Sequence, residues 1–154
     1  MAARNWDGSA SGDVTVAANY DTKPTGTDTL TIPTSCANYP TTGAYPATGA
    51  VTINSGGSIA GGTAWPVVTN GGTISGGTFE GTIDNDAGTI TGGTFNAAVA
   101  NAEGSSLISG GTFNNTVHND ATISGGTFTN AVTNDATGTI SGGVFKNTVH
   151  NDGA

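Results

Sequence analysis

Apolar and polar positions along residues 58–154 follow a pattern that repeats every 15 to 18 residues. The segment Thr-Ile-Ser-Gly-Gly-Thr-Phe at residues 73–79 returns four more times with small changes, and a weaker copy precedes it. The copies begin at Ser58, Thr73, Thr89, Leu107, Thr122 and Thr139. Repeats of this regularity predict identical structural units stacked on one another, each burying its apolar face against its neighbours.

Three apolar columns define the repeat, and all three are predicted to point inward. The first column holds Ile59, Ile74, Ile90, Ile108, Ile123 and Ile140. The second, five residues later, holds Ala64, Phe79, Phe95, Phe113, Phe128 and Phe145. The third, four residues after that, holds Val68, Ile83, Val99, Val117, Val132 and Val149. Because the same residue type returns in each unit, each column is expected to stack on itself along the molecule.

A column of asparagines follows the third apolar column by two residues. Its members are Asn70, Asn85, Asn101, Asn119, Asn134 and Asn151, and we expect their amides to form a ladder at one corner. The interval from the third column to the next Ile varies between 6 and 9 residues, whereas the other two intervals are constant. Insertions are tolerated on the surface, so loops are predicted at this corner, at residues 87–89, 102–107 and 136–139.

These intervals predict an all-β, single-chain, three-sided parallel β-solenoid with about six coils of 15–18 residues. A helical repeat is excluded because each unit is too short for a helix pair and contains Gly-Gly, while Val, Ile, Thr and Phe favour extended chain. Inward positions at intervals of 5, 4 and 6–9 favour a right-handed β-helix over a left-handed solenoid of hexapeptides. A trimer of intertwined chains is the structural alternative, which the variable corner disfavours. Six coils would make a rod about 29 Å tall.

Residues 1–50 differ from the rest, since they lack the Gly-Gly repeat and contain four of the five prolines. They are predicted to be an N-terminal cap or anchor with a loop-rich segment at 34–50, and residues 51–154 to be the solenoid. A solenoid needs a cap because an open coil exposes apolar side chains and unpaired backbone. Val14, Val16, Leu30 and Ile32 are expected to be inward residues of this cap. The candidate anchor or cap residues are Trp6, Tyr20, Asp28 and Ile32. The last coil shows no comparable cap, so we expect another molecule or further chain to cover it.

The composition excludes several functions. The chain of 154 residues has a net charge of -8 and only three Lys and Arg residues, so a polyanion such as DNA or RNA would be repelled. The same charge argues against anionic membranes, and no apolar run approaches the length of a membrane span. The single cysteine, Cys36, permits no intrachain disulfide. Residues 1–7 lack the apolar region of a signal peptide, which predicts no export by that route if Met1 is the natural start.

The candidate chemistry of the repeat is limited to one corner. Asp86, Asp120, Asp135 and Asp152 follow the Asn column, and carboxylates about 5 Å apart suggest a glycosidase pair or a hard-cation site. A solvated Asn-Asp turn is the simpler interpretation. His118 and His150 occupy equivalent positions two coils apart, about 9.6 Å, which is too far to share one metal ion. No Ser-His-Asp set or phosphate-binding loop is present, so we expect no enzyme activity, no catalytic residues, no metal and no cofactor.

Two outward features suggest binding surfaces. Trp65 lies beside the Phe column and is predicted to point outward, where it would contact a sugar or a partner protein or cover the first coil. Hydroxyl pairs flank the Ile column and resemble the regular Thr arrays of ice-binding solenoids. These pairs are Thr73 with Ser75, Thr89 with Thr91, Thr122 with Ser124, and Thr139 with Ser141. Leu107 interrupts this array, so ice binding is a remote alternative.

The N-terminal segments resemble small bacteriophage structural proteins. Those proteins open with an Arg-aromatic-Trp-Gly segment, continue with Ala-Asn-Trp, and enter a β-helix through Gly-Asp-x-Val-x-Ile-Pro. The matching segments are residues 3–8 (Ala-Arg-Asn-Trp-Asp-Gly), 17–20 (Ala-Ala-Asn-Tyr) and 26–33 (Gly-Thr-Asp-Thr-Leu-Thr-Ile-Pro), with Tyr20 in place of the usual Trp. The Thr-Ile-Ser-Gly-Gly-Thr-Phe repeats resemble β-helical surface proteins of phages and gut bacteria. The resemblance covers most of the chain and carries over no catalytic residues.

Taken together with the resemblance, the sequence predicts a non-enzymatic structural protein of a phage virion. It would be a decoration protein, head fibre or spike that projects a short acidic rod and is anchored through its N-terminal region. The expected partners are capsid or tail proteins, and self-association is expected, with a homotrimer favoured. The alternative is an adhesive β-helix on a bacterial cell surface or in the extracellular medium, with glycans as one candidate ligand.

Overall fold

The computed structural model describes residues 2–102 and 104–154; Met1 and Glu103 lie outside the described residues. The chain is a parallel β-solenoid of about seven turns, built from three sheets that form its three sides. Among the described residues the only helical element is a single 3-10 turn at Ala17–Asn19. The prediction of an all-β, three-sided parallel solenoid is confirmed, with about seven coils in place of six.

The largest sheet, here called the Asn sheet, has nine strands. They are β1 (Ala3–Asn5), β2 (Thr29–Ile32), β3 (Val51–Ile53), β5 (Val68–Asn70), β8 (Ile83–Asn85), β11 (Val99–Asn101), β14 (Val117–Asn119), β17 (Val132–Asn134) and β20 (Val149–Asn151). Each strand pairs in parallel with the strand of the coil before and after it. This sheet therefore runs the whole length of the molecule.

The other two sides are narrower and begin later in the chain. The Ile sheet contains β4 (Ser58–Ala60), β6 (Thr73–Gly76), β9 (Thr89–Ile90), β12 (Leu107–Ile108), β15 (Thr122–Ile123) and β18 (Thr139–Ile140). The Phe sheet contains β7 (Thr78–Phe79), β10 (Thr94–Phe95), β13 (Thr112–Phe113), β16 (Thr127–Phe128) and β19 (Val144–Phe145). The strands are short because each side of the triangle admits only two to four residues before the next corner.

The register places like residues on like. Ile90 pairs with Ile74 and Ile108, Phe95 with Phe79 and Phe113, and Val99 with Ile83 and Val117. The three apolar columns are buried in every coil from Ile74 to Val132, and they become partly exposed in the last coil. The last-coil members are Ile140, Phe145 and Val149, the latter 37% exposed.

The Gly-Gly corner requires glycine at both positions, for different reasons. The second glycine of each pair has a positive φ, as at Gly111 (104°), which only glycine adopts without strain. The first, as at Gly110, lies so close to the previous coil that a Cβ atom would collide with the carbonyl oxygen of Thr91. Within the described residues, the only non-glycine residues with a positive φ are Ala64 and Ala87. The asparagines of the Asn column therefore have negative φ.

The corner between the Asn sheet and the Ile sheet, here called the variable corner, contains the variation in coil length from β8 onward. Its connections in four successive coils are residues 86–88, 102–106, 120–121 and 135–138. Three of the four overlap the loops predicted at 87–89, 102–107 and 136–139. Glu103, in the loop predicted at 102–107, is one of the residues outside the description. The corner between the Phe sheet and the Asn sheet always has three residues, as at 96–98 and 114–116.

Residues 2–50 are continuous with the solenoid through the Asn sheet, in which β1 pairs with β2 and β2 with β3. Val14, Leu30 and Ile32 are buried, whereas Val16 is only partly so. The segment predicted to be a loop-rich excursion also joins the stack, because Thr42 bridges Asp13 and Ala44 bridges Thr63 in parallel. The N-terminal region thus continues the coil direction of the rod.

Candidate functional site

Trp6 and Tyr20 form an aromatic pair that fastens the N-terminal region. Their rings meet edge to face, with centroids 4.9 Å apart, and an isolated antiparallel bridge joins the two residues. The Trp6 Nε1–H donates to the Asn38 carbonyl oxygen (2.6 Å), and the Tyr20 hydroxyl donates to the Val14 carbonyl oxygen (2.7 Å). Burial raises the pKa of Tyr20 far above its usual value. The pair and its two hydrogen bonds therefore connect the segments around Trp6, Val14–Tyr20 and Asn38. Because both rings are buried, they offer no surface to a partner.

Asp28 fastens the first strand to the second. Its carboxylate accepts from the backbone N–H of Ala2 (2.7 Å) and from Nε of Arg4 (3.1 Å). The Ala2 hydrogen bond, followed by the Arg4 side chain, holds the pKa of Asp28 below its ordinary value against the opposing effect of desolvation. Ile32, at the end of β2, is fully buried. All four candidate anchor residues therefore hold the N-terminal region together from inside.

Trp65 is buried, and the prediction that it points outward is wrong. Its side chain is 0% exposed, its Nε1–H donates to the Gly61 carbonyl oxygen (3.0 Å), and it pairs with Phe79 in parallel. Trp65 thus takes the place in the Phe column that was predicted for Ala64. Ile59 pairs with Ile74 and Trp65 with Phe79, so this coil has one residue more between the two columns than the next coil. Ala64, with a positive φ of 58°, lies in this stretch, and the inward side chain comes one residue later. A buried ring cannot contact a sugar or a partner.

The Phe column is a continuous aromatic stack. Rings of successive coils from Phe79 to Phe145 lie 4.7–4.9 Å apart and within 11° of parallel. Trp65 extends the stack below Phe79, and Tyr45 extends it further, with its centroid 5.1 Å from that of Trp65. Sequence reasoning missed Tyr45 because residues 1–50 lack the heptad that marks the column. The stack links the N-terminal region to the last coil.

The Asn column forms a ladder of amides inside the variable corner. Each Nδ2 donates to the Oδ1 of the next asparagine, at 2.7 Å in the first three steps, from Asn70 to Asn119. The second Nδ2–H of the interior members donates to a corner carbonyl, such as that of Gly88 for Asn85. The side chains from Asn70 to Asn134 are fully buried, and Asn151 at the end is exposed. The ladder therefore links successive coils at the corner where the coil length varies.

A second ladder lies on the outer surface of the Phe sheet, directly after the Phe column. Asn96 donates to Glu80 (2.9 Å), Asn114 donates to Asn96 (2.9 Å), and Thr129 donates to Asn114 (3.4 Å). On the Ile sheet, the outward hydroxyls make only long contacts to the previous coil, such as Thr91 to the Ile74 carbonyl oxygen (3.4 Å). Both faces are regular and polar, but side chains hydrogen-bond to one another along the rod only on the Phe sheet.

One histidine and two aspartates converge at the variable corner. His118 lies on the outward face of β14, and Asp120 and Asp135 follow the Asn column in the same coil and in the next. The His118 Nε2 atom is 3.1 Å from Oδ2 of Asp120 and 3.3 Å from Oδ2 of Asp135. One ligand atom from each residue lies within 4.8 Å of the others, a grouping that could hold a metal ion. The sequence pointed to each residue type separately but not to this pairing of His with Asp across coils.

The same motif occurs once more, in a reduced form, two coils further on. His150 Nε2 is 3.1 Å from Oδ2 of Asp152, and Asp152 lines a shallow depression together with Asp120 and Asp135. Asp86 stands apart from this group, since Ala102 occupies its position in the intervening coil. The row of carboxylates therefore spans three adjacent coils.

Comparison of the chain with protein-family models, with curated proteins and with solved structures found no match. Within residues 2–102 and 104–154, no helix combines the length and the hydrophobicity needed to cross a membrane.

Proposed function

We propose that this chain is a non-enzymatic structural protein that projects a short, acidic β-helical rod from a phage virion, where the N-terminal region anchors it. The observation that supports a structural role is the continuous aromatic stack from Tyr45 to Phe145, backed by the Asn ladder. Because such columns hold every coil against its neighbours, the rod is rigid and can keep its two ends at a fixed distance from each other.

The outer faces are consistent with this role. Their polar side chains hydrogen-bond along the rod, as Asn96 does to Glu80, and the three Lys and Arg residues of the chain are too few to form a basic groove. The assignment to a phage rests on the resemblance of residues 3–8, 17–20 and 26–33 to small virion proteins. Because Trp6, Tyr20 and Ile32 are buried, anchoring falls to the outward side chains of this region.

Two kinds of partner follow from the proposal. Capsid or tail proteins would receive the N-terminal region, and copies of this chain would associate with one another, with a homotrimer favoured. Exposed apolar side chains of the last coil support self-association: Val144 is 55% exposed and Val149 37%.

Mass spectrometry of virions purified from the phage whose genome encodes the chain tests the proposal. We expect the chain to be present in many copies per particle, and antibodies against the rod to label the particle surface in electron micrographs. Absence from purified virions, together with labelling of the bacterial cell surface, would favour the adhesive alternative instead. Capsid and tail genes next to the coding sequence would support the virion assignment, and secretion genes would oppose it.

A further inference from the structure

We propose that His118, Asp120 and Asp135 form a binding site for one divalent transition-metal ion, with Zn²⁺ as the representative ion. The site goes beyond the proposed structural function and does not depend on it. It lies on the outside of the variable corner, where β14 and β17 end in successive coils.

The geometry of the three ligand atoms suits such an ion. Zinc binds imidazole nitrogen and carboxylate oxygen at about 2.0–2.2 Å, which places tetrahedral ligands about 3.3–3.6 Å from one another. The two distances from His118 Nε2, 3.1 Å to Asp120 and 3.3 Å to Asp135, are already close to that separation. A metal ion would need only small side-chain movements, because all three residues lie at the surface with His118 half exposed.

The arrangement is poorly explained by a hydrogen bond alone. Nε2 carries at most one hydrogen, and a hydrogen bond weakens steeply as it departs from linearity. One N–H group therefore cannot bond well to both Asp120 and Asp135, whereas a metal ion between the three atoms binds all of them at once.

The ligand set also selects the class of ion. Imidazole favours Zn²⁺, Ni²⁺ and Cu²⁺, while Ca²⁺ and Mg²⁺ prefer oxygen ligands alone. Among the described residues no Lys or Arg side chain forms an ion pair with these two aspartates, so their charge is available to a cation. The net charge of -8 further favours cation binding.

The reduced copy of the motif supplies a matched control. His150 and Asp152 repeat the His-x-Asp pair with the same 3.1 Å separation, but no carboxylate from a following coil joins them within the described residues. If a His-Asp pair alone sufficed, both sites would bind equally. If the third ligand matters, the His118 site binds much more tightly.

Nitrogen-15 NMR of the imidazole groups, during titration of the chelator-treated chain with ZnCl₂, tests the proposal. The chain has two histidines, so their signals can be assigned with His118→Ala and His150→Ala. We expect the His118 Nε2 signal to move and reach its end point at one ion per chain, while the His150 signal stays in place. Equal movement of both signals, or movement of neither at millimolar zinc, would overturn the site.

Calorimetry on the variants gives the second measurement. His118→Ala and Asp135→Asn should weaken zinc binding at least about tenfold, and His150→Ala and Asp152→Asn should leave it unchanged. These side chains lie on the surface, and circular dichroism will verify that each variant keeps the fold. Zinc affinity that survives both His118→Ala and Asp135→Asn would contradict the proposal, as would Ca²⁺ binding as tight as that of Zn²⁺.

The ion would join two coils from the outside. His118 and Asp120 belong to one coil and Asp135 to the next, so bound metal stabilises the folded state by mass action. At 100 times the dissociation constant, zinc should raise the Tm of the natural chain by about 5–10 °C. The Asp135→Asn chain should show no such shift, and an equal shift in both chains would place the stabilising ion elsewhere.

Discussion

At the scale of single residues, the amide ladder shows how a polar column is accommodated in the interior. Asn101 accepts from Asn85 through Oδ1 and donates from Nδ2 to Asn119 and to the carbonyl oxygen of Thr122. Each amide from Asn85 to Asn134 thus uses both of its N–H groups and its carbonyl oxygen. An aspartate could not substitute, because a carboxylate has no hydrogens to donate.

Replacement of Asn101 with Leu should destabilise the fold by about 2–6 kcal/mol. The change leaves an N–H of Asn85 and the carbonyl oxygen of Asn119 buried without partners, and each such group costs about 1–3 kcal/mol. Urea unfolding followed by circular dichroism gives the free energy. Asn151→Leu is the matched control, because the ladder then loses only the hydrogen bond from Asn134, at its exposed end, and the change should cost distinctly less. Equal losses in the two variants would contradict the ladder's contribution.

A similar comparison applies to the aromatic stack. Phe113 lies between Phe95 and Phe128, with both ring faces covered and 0% exposure, whereas Phe145 is covered on one face only and is partly buried. Phe113→Ala should therefore lower the free energy of unfolding by about 3–5 kcal/mol, the usual range for such a cavity. Phe145→Ala should cost distinctly less in the same chemical denaturation experiment. A larger loss at Phe145 would show that the last coil is covered in solution.

At the scale of elements, the N-terminal strands are joined by a guanidinium–carboxylate ion pair, and among the described residues no such pair joins two coils of the rod. Asp28 joins β2 to the first strand through Ala2 and Arg4, and these contacts lower the pKa of its carboxyl. The coils of the rod are joined instead by stacked side chains and backbone pairing. Acid should therefore weaken the contact between β1 and β2 before it affects the stacked coils of the rod.

Asp28→Asn tests this difference through pH. Because the pKa in the folded state lies below the unfolded value of about 3.9, the contribution of Asp28 is complete above that value and is lost as the pH falls through the folded pKa. The natural chain should be more stable than the variant at pH 7, and the difference should shrink below about pH 4. Thermal unfolding at a series of pH values measures it. A difference that stays constant down to pH 2 would mean that the ionised carboxylate contributes nothing.

The corners differ in their tolerance of insertions. Two glycines added after Gly104 extend a connection that already varies, and no atom lies within 4 Å of the position a side chain would take there. The loss should stay below about 1 kcal/mol. The same insertion between Asn115 and Thr116 displaces β14 from β11 and β17 and should cost more than about 3 kcal/mol. Denaturant midpoints of the two chains give the comparison, and similar midpoints would contradict the difference between the corners.

At the scale of the whole molecule, the last coil presents apolar side chains and an unpaired strand edge. The exposed residues include Val144 and Val149, and Phe145 has one ring face uncovered. Such edges favour association with another chain. The proposed self-association would cover these side chains.

Light scattering coupled to size-exclusion chromatography tests the assembly. A trimer of the 15.0 kDa chain has a mass of about 45 kDa, and we expect that value at tens of micromolar protein. Val144→Lys and Val149→Lys together should shift the mass toward that of the monomer. A natural chain that elutes at the monomer mass under these conditions would rule out self-association of this kind.

The sequence predicted the repeat well because its residues recur at fixed intervals. Ile, Phe, Val and Asn each mark one position of the triangular coil, so their spacing determined the sheets and the variable corner. Trp65 was misplaced because the constant interval of five residues does not reveal the extra residue between Ile59 and Trp65 in this coil. Tyr45 was missed for lack of a repeat, and the grouping of His118 with Asp135 depends on side-chain directions at a corner that spacing does not specify.

The pairing of each coil with only its two neighbours has a consequence for how such a molecule changes over time. Residues 99–116 form one complete circuit, from one Val of the third column to the residue before the next, and Val117 pairs with Val132 much as Val99 pairs with Val117. Removal or duplication of a circuit would shorten or lengthen the rod while creating no new type of contact. Its length can therefore evolve in whole steps of about 4.8 Å, by recombination between its own repeats.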